Sequence, residues 1–119
     1  MAQSKHLYKE KDYQSYWCKA NNGIMEYRLN DGARVDCLLP DMAVEFDFAF
    51  KWAECIGQAM YYGKKTNRTP ACVLIMENEK KDKKYLNRLQ YATDKNFVIK
   101  TITPNELNNS LQAKFSQKA

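Results

Sequence analysis

Hydrophobic positions recur along this chain in two periods that alternate from segment to segment. From about Leu7 to Ala20 the residues Tyr13, Tyr16, Trp17 and Ala20 fall three or four apart, the spacing of one helical face, and Asn21-Asn22-Gly23 then offers Gly23 as a stop. Residues 24–29 (IMEYRL) and 33–39 (ARVDCLL) are strand-like runs separated by Asn30-Asp31-Gly32, an Asp-Gly turn of the kind that closes a hairpin. A third strand, residues 43–49 (AVEFDFA), follows Pro40-Asp41-Met42, and from Phe50 to about Gly63 the spacing turns helical again. Residues 63–70 (GKKTNRTP) read as a polar loop, and 71–76 (ACVLIM) as a strand covered on both faces. After the charged run 77–84 a helix carries Tyr85, Leu86, Leu89 and Ala92, and residues 97–103 (FVIKTIT) form a last strand. Thr103, Pro104 and Glu106 have the spacing of an N-cap, a first helical residue and a capping-box partner for a terminal helix. The order predicts an α/β sandwich with a mixed sheet, in which the passage from the third strand through the helix to residues 71–76 is long enough for a parallel crossover.

At 119 residues the expectation is a single domain spanning 1–119. Apolar residues make up 45% and are spread along the whole length, which argues against disorder. No apolar run approaches the roughly 20 residues of a membrane span, and the first residues lack a signal-peptide core, so the chain is expected to be soluble and cytoplasmic, with no membrane partner and no organic cofactor. Net charge is +5, which favours an anionic partner such as nucleic acid. Cys18, Cys37, Cys55 and Cys72 are far apart and sit inside apolar patterns, so the reading is reduced buried thiols in preference to zinc ligands or disulfides.

Acids interrupt the apolar alternation of the hairpin. With side chains pointing to opposite faces in turn, Asp36 shares a face with Arg34 and Leu38, and Glu45 and Asp47 lie opposite Val44, Phe46 and Phe48. A turn centred on Pro40 and Asp41 sets Asp36 directly across from Glu45. Like charges so placed repel by roughly 3 kcal/mol at ~5 Å and an effective dielectric of about 20, and a divalent cation held by one or two carboxylates and waters relieves that cost. A merely solvated acidic face is the plain alternative. On the next helix Lys51, Gln58 and Tyr62 fall within about 20° of one line, while Trp52, Ile56, Ala59 and Met60 form the side that packs on the sheet. Lys51, just after the acidic strand, can reach back toward the carboxylates. Glu10 sits within the apolar stripe of the first helix, where a charge needs a partner, and Gln14 lies one turn on. His6 carries no expected role.

With these residues in hand, the chain resembles the PD-(D/E)XK nuclease superfamily, of restriction-endonuclease-like fold, and within it small bacterial and phage-type members bearing a QxxxY helix. The resemblance rests on residues 34–62, RVDCLLPDMAVEFDFAFKWAECIGQAMYY, and its core would cover about residues 7–77. It implies a three-layer sandwich of order α-β-β-β-α-β, followed here by a C-terminal helix, strand and helix. It implies that Asp36 and Glu45 hold Mg²⁺, with Mn²⁺ able to substitute, that the Phe46 carbonyl is a further ligand, and that Glu10 is the acid from the first helix. Gln58 and Tyr62 match the QxxxY element, whose glutamine lies beside the active site and contacts DNA. Where the superfamily usually has lysine two residues beyond the second acid, this chain has Asp47, and Lys51 is placed to supply that lysine from the following helix, with Asp47 as an additional ligand. The activity implied is metal-dependent hydrolysis of phosphodiester bonds in DNA. Lys64, Lys65 and Arg68, with the lysines of 80–84, are candidates for phosphate contacts. A homodimer is compatible with such a reading. The rival readings are a catalytically weak nucleic-acid-binding module and a phage-type regulatory or inhibitor protein.

Overall fold

The computed structural model describes residues 6–109. Helix α1 (Glu10–Ala20) leads into strands β1 (Ile24–Arg28), β2 (Arg34–Leu38) and β3 (Met42–Phe48). A 3-10 turn (Ala49–Lys51) then opens helix α2 (Trp52–Thr66), followed by β4 (Thr69–Ile75), α3 (Glu79–Ala92) and β5 (Val98–Ile102). A further helix runs from Pro104 to Asn109, the last described residue. The expected order is thus observed, with shifted edges. Lys64 and Lys65 belong to the last turn of α2 and not to a loop, and Thr69 and Pro70 are already strand.

The sheet has its strands in sequence order, β1 to β5. The first three are antiparallel neighbours; β3–β4 and β4–β5 are parallel, with α2 and α3 as the crossovers. Two buried clusters cover the two faces. Tyr13 and Cys18 of α1, with Leu107, pack on Val44, Phe46, Phe48, Val73 and Ile75. On the other face Cys55 and Ala59 of α2 and Leu89 of α3 pack on Cys72 and Leu74. Since β4 is covered on both sides, its run from Ala71 to Ile75 is uniformly buried, as a strand in the middle of a parallel stack must be.

Local signals fix the ends of the elements. Thr103 and Glu106 form the reciprocal capping box, Glu106 Oε2 taking the Thr103 N–H at 2.7 Å and Thr103 Oγ1 the Glu106 N–H at 3.4 Å. Asn78 caps α3 through a 3.1 Å bond from the Lys81 N–H. After α1 the left-handed residue is Asn22, at φ 57°, and Gly23 is required for a different reason. A Cβ there would meet the sulfurs of Cys18 and Cys37 and Leu39 Cδ2, the last at 2.8 Å.

Those sulfurs correct the expectation of reduced thiols. Cys18 is paired with Cys37 and Cys55 with Cys72, with Cα atoms 5.8 and 6.1 Å apart, and none of the four is free. Each pair joins a helix to a strand it covers, α1 to β2 and α2 to β4. The cysteines look solitary in sequence because their neighbours are supplied by packing across 19 and 17 residues. Among the described residues no helix is long and apolar enough to cross a membrane.

Candidate functional site

The β2–β3 hairpin turns through Pro40 and Asp41, with the Leu39 N–H bonded to the Met42 carbonyl at 2.9 Å. Cys37 then pairs with Val44 and Leu38 with Ala43, a register that sets Asp36 opposite Glu45 as the alternation required. There the ladder stops. Asp36 Oδ2 takes the Phe46 N–H at 2.8 Å, and Glu45 Oε2 takes the Asp36 N–H at 2.8 Å. Two carboxylates thus occupy places where strand carbonyls would have been, and β2 and β3 part around them. The neighbouring hairpin is irregular at the same level: the β1–β2 pairs Met25–Cys37 and Tyr27–Val35 flank Glu26, which sits at φ 52° within a strand. The regular alternation expected for β2 also fails here. Cys37 packs toward α1, whereas Val35 joins Leu38, Ala43 and Tyr62 beside α2.

Helix α1 is anchored to this break. Gln14, 3% exposed, donates Nε2–H to the Asp36 carbonyl at 2.7 Å, which satisfies a carbonyl left free by the parting strands. One turn earlier Glu10 stands half-buried, its carboxyl within hydrogen-bonding reach of Asp47. The buried Asp47 Oδ2 has no hydrogen-bond partner among the described residues. On β3, Glu45 and Asp47 lie in register with Cys72 and Leu74 of β4, which places them on the α2 side of the sheet.

The site therefore gathers Glu10, Asp36, Glu45 and Asp47, and its electrostatics are those of crowded buried acids. Burial, with the nearby Glu10 and Glu26 charges, pushes Asp36 up to about 7 against the pull of the Phe46 N–H. Burial and then Asp36 push Glu45 up to about 9. Burial and then Glu10 push Asp47 up to about 8. Glu10 is also raised, chiefly by burial, while its bond to Asp47 and the charge of Lys51 act the other way. Desolvation and like-charge repulsion thus act together on each of the four, and both favour the protonated form.

Lys51 is exposed and forms no ion pair among the described residues, and its charge lowers Glu10. The line Lys51–Gln58–Tyr62 is broken. Gln58 is exposed, whereas Tyr62 is 9% exposed and packs on Val35, Leu38 and Ala43, so it is a wall of the site and not a group offered to a ligand. Its hydroxyl is raised, foremost by burial and then by the charges of Glu45 and Asp36. Met60, expected on the sheet side, is 54% exposed; the buried side of α2 is Cys55, Ala59, Tyr62 and Gly63. Lys64, Lys65 and Arg68 lie at the far end of α2, Arg68 donating to the carbonyls of Pro40 at 3.2 Å and Thr66 at 3.1 Å.

Sequence reasoning missed three participants. Glu26 follows from carrying the β1–β2 register one pair further, to Asp36. Glu54, in the first turn of α2, adds negative charge at Asp47 and Glu10. His6, given no role, stacks on the Phe48 ring at 3.7 Å and pairs with Glu77; nothing in its spacing could have shown this.

Among the described residues no three His, Cys, Asp or Glu side chains form a preformed cage for a metal ion. The donor set nonetheless suits a hard cation, because Asp36 and Glu45 each have one oxygen engaged by a backbone amide and one left over. The chain matches no protein-family model, no curated protein and no solved structure.

Proposed function

We propose that this chain is a metal-dependent nuclease of the PD-(D/E)XK type, on a restriction-endonuclease-like fold, hydrolysing phosphodiester bonds in DNA. One observation carries the reading: acids from α1, β2 and β3 meet where two sheet strands part, three of them driven toward neutrality by burial and mutual repulsion. A protein built only for stability would not collect them there. The helix, three-strand hairpin, helix and parallel strand are also in the order that the sequence resemblance implies.

Asp36 and Glu45 would hold Mg²⁺, or Mn²⁺ in its place, through their spare oxygens, with the Phe46 carbonyl as the third protein ligand. When bound, the ion supplies positive charge to the phosphoryl oxygens as the bond breaks. Glu10, beside Asp47, would accept the proton of the attacking water. Gln14 keeps Asp36 in place through its carbonyl. Lys51 moderates the charge of Glu10, and Gln58, exposed on α2, is free to touch DNA.

The test is a cleavage assay with Mg²⁺ or Mn²⁺ across single-stranded, duplex, flap and junction DNA. Cleavage abolished by chelator and by Asp36→Asn supports the reading. Cleavage that Asp36→Asn leaves intact would overturn it. One observation favours the second reading, a nucleic-acid-binding module that cuts poorly: the superfamily's lysine position is Asp47, and Lys51 is exposed with no ion pair to an acid among the described residues. Salt-sensitive DNA binding without cleavage under any divalent ion would select it.

A further inference from the structure

A cavity of about 430 Å³ opens between the β1–β2 turn and the C-terminal end of α2, lined among others by Arg28, Asn30, Asp31, Lys65, Thr66 and Arg68. Its charges are unbalanced. Asp31 is its only acid, and both carboxylate oxygens are engaged, Oδ1 by the Ala33 N–H at 3.0 Å and Oδ2 by the Tyr61 hydroxyl. Arg28, Lys65 and Arg68 form no ion pair among the described residues. Arg68 donates Nε–H to Pro40 and one Nη1–H to Thr66, which holds its guanidinium in place and leaves Nη2 unused. The last carbonyls of α2 are already covered, Gly63 by the Arg68 N–H at 2.8 Å and Lys64 by the Asn67 N–H at 3.3 Å. The Thr66 carbonyl is covered by Arg68 itself, so Arg28 and Lys65 are not needed as helix caps.

We infer that this cavity binds a phosphate of a nucleic-acid strand whose neighbouring phosphodiester reaches the acids of the site. The inference rests on the nuclease reading for the second half of that statement only. Two elements set the spacing. Tyr62 packs on Val35, the neighbour of Asp36 in β2, and Lys65 lies three residues further along α2, about 4.5 Å in rise. Glu26 borders Asp36, and Arg28 lies two residues further along β1, about 7 Å. A strand advancing about 3.4 Å per nucleotide spans either interval in one to two nucleotides. A planar guanidinium held by carbonyls and an ammonium lining the same cavity are a fitting pair of donors for a tetrahedral dianion or a phosphodiester.

The probe is a fluorescein-labelled 20-nucleotide strand, titrated in chelator so that nothing is cut, against the intact chain and against Arg28→Gln/Lys65→Gln. Neither side chain has a hydrogen-bond partner among the described residues, so the fold should survive. The control is Lys95→Gln/Lys100→Gln, which removes the same charge near β5, at the opposite edge of the sheet. Removing both cavity cations should weaken binding by about tenfold and reduce the slope of log affinity against log salt by roughly 0.7 to 0.9 for each phosphate no longer neutralised, while the control pair changes neither as much. Equal effects of the two pairs, or an unchanged salt slope in the cavity variant, would overturn the inference. Inorganic phosphate serves as competitor: displacement only in the millimolar range assigns the cavity to a strand, and tight binding of phosphate alone would overturn that assignment. If the cavity variant behaves as expected and the wild type cleaves nothing with Mg²⁺ or Mn²⁺, the cavity stands and the nuclease reading falls.

Discussion

Replacing Asp47 by Asn should stabilise the metal-free protein, and more so as pH rises. The Asp47 carboxyl, ordinarily near 3.8, is held up to about 8, foremost by burial. A carboxyl whose folded pKa exceeds its unfolded value binds more protons folded than unfolded between the two, so stability falls as pH climbs through that window. With nearly one proton of difference, the slope approaches about 1.4 kcal/mol per pH unit, or roughly 3 kcal/mol between pH 5 and 7. Because Asp47 and Glu10 influence each other's titration, the separable part is about 1–3 kcal/mol, roughly 4–12 °C in melting temperature for a domain of this length. Asn also offers an N–H toward the Glu10 carboxylate and leaves no bare oxygen in its place. Thermal unfolding followed by circular dichroism in chelator, at pH 5 and at pH 7, measures this directly. A variant that melts below the wild type at pH 7, or whose advantage fails to grow from pH 5 to 7, would refute the account. The same reasoning applies to Asp36 and Glu45, and three such deficits approach the whole stability of an ordinary domain, about 5–15 kcal/mol.

Two further substitutions probe the scaffold. Gly23→Ala would drive a methyl into the Cys18 and Cys37 sulfurs and Leu39, so it should lower the urea midpoint by the equivalent of about 1–3 kcal/mol, and an unchanged midpoint would mean the connection between α1 and β1 is looser than described. Glu26→Gly should raise stability by about 1 kcal/mol, since glycine adopts φ 52° freely and the pairing with Lys11 that it gives up, at 3.5 Å on the surface, is worth little; a drop in melting temperature would show that the conformation is not strained.

What could be read in the sequence was whatever depends on neighbours along the chain. The two-residue turn at Pro40 and Asp41 fixes the facing of Asp36 and Glu45 by counting alone, and the Thr103–Glu106 box needs only a spacing of three. The parallel crossover to β4 followed from the length of α2. What could not be read depends on where elements lean on each other. A helical wheel lines up Lys51, Gln58 and Tyr62 but does not know that the sheet lies on the Tyr62 side, so it exposes a residue that is buried and buries Met60, which is exposed. Alternation assumes a regular strand, and β2 changes face at Asp36, which sends Val35 toward α2. The cysteine pairs, and the stacking of His6 on Phe48, join residues that only the finished packing brings together.

The parting of β2 from β3 leaves the amides of Asp36 and Phe46 guarded by carboxylates where strand carbonyls would otherwise do it. For those two N–H groups the lock is a titratable one. Their hydrogen exchange with solvent is therefore tied to the charge of two side chains, while the amides along β4 answer only to the opening of the sheet itself, so the acidic centre carries its own reporter within the backbone.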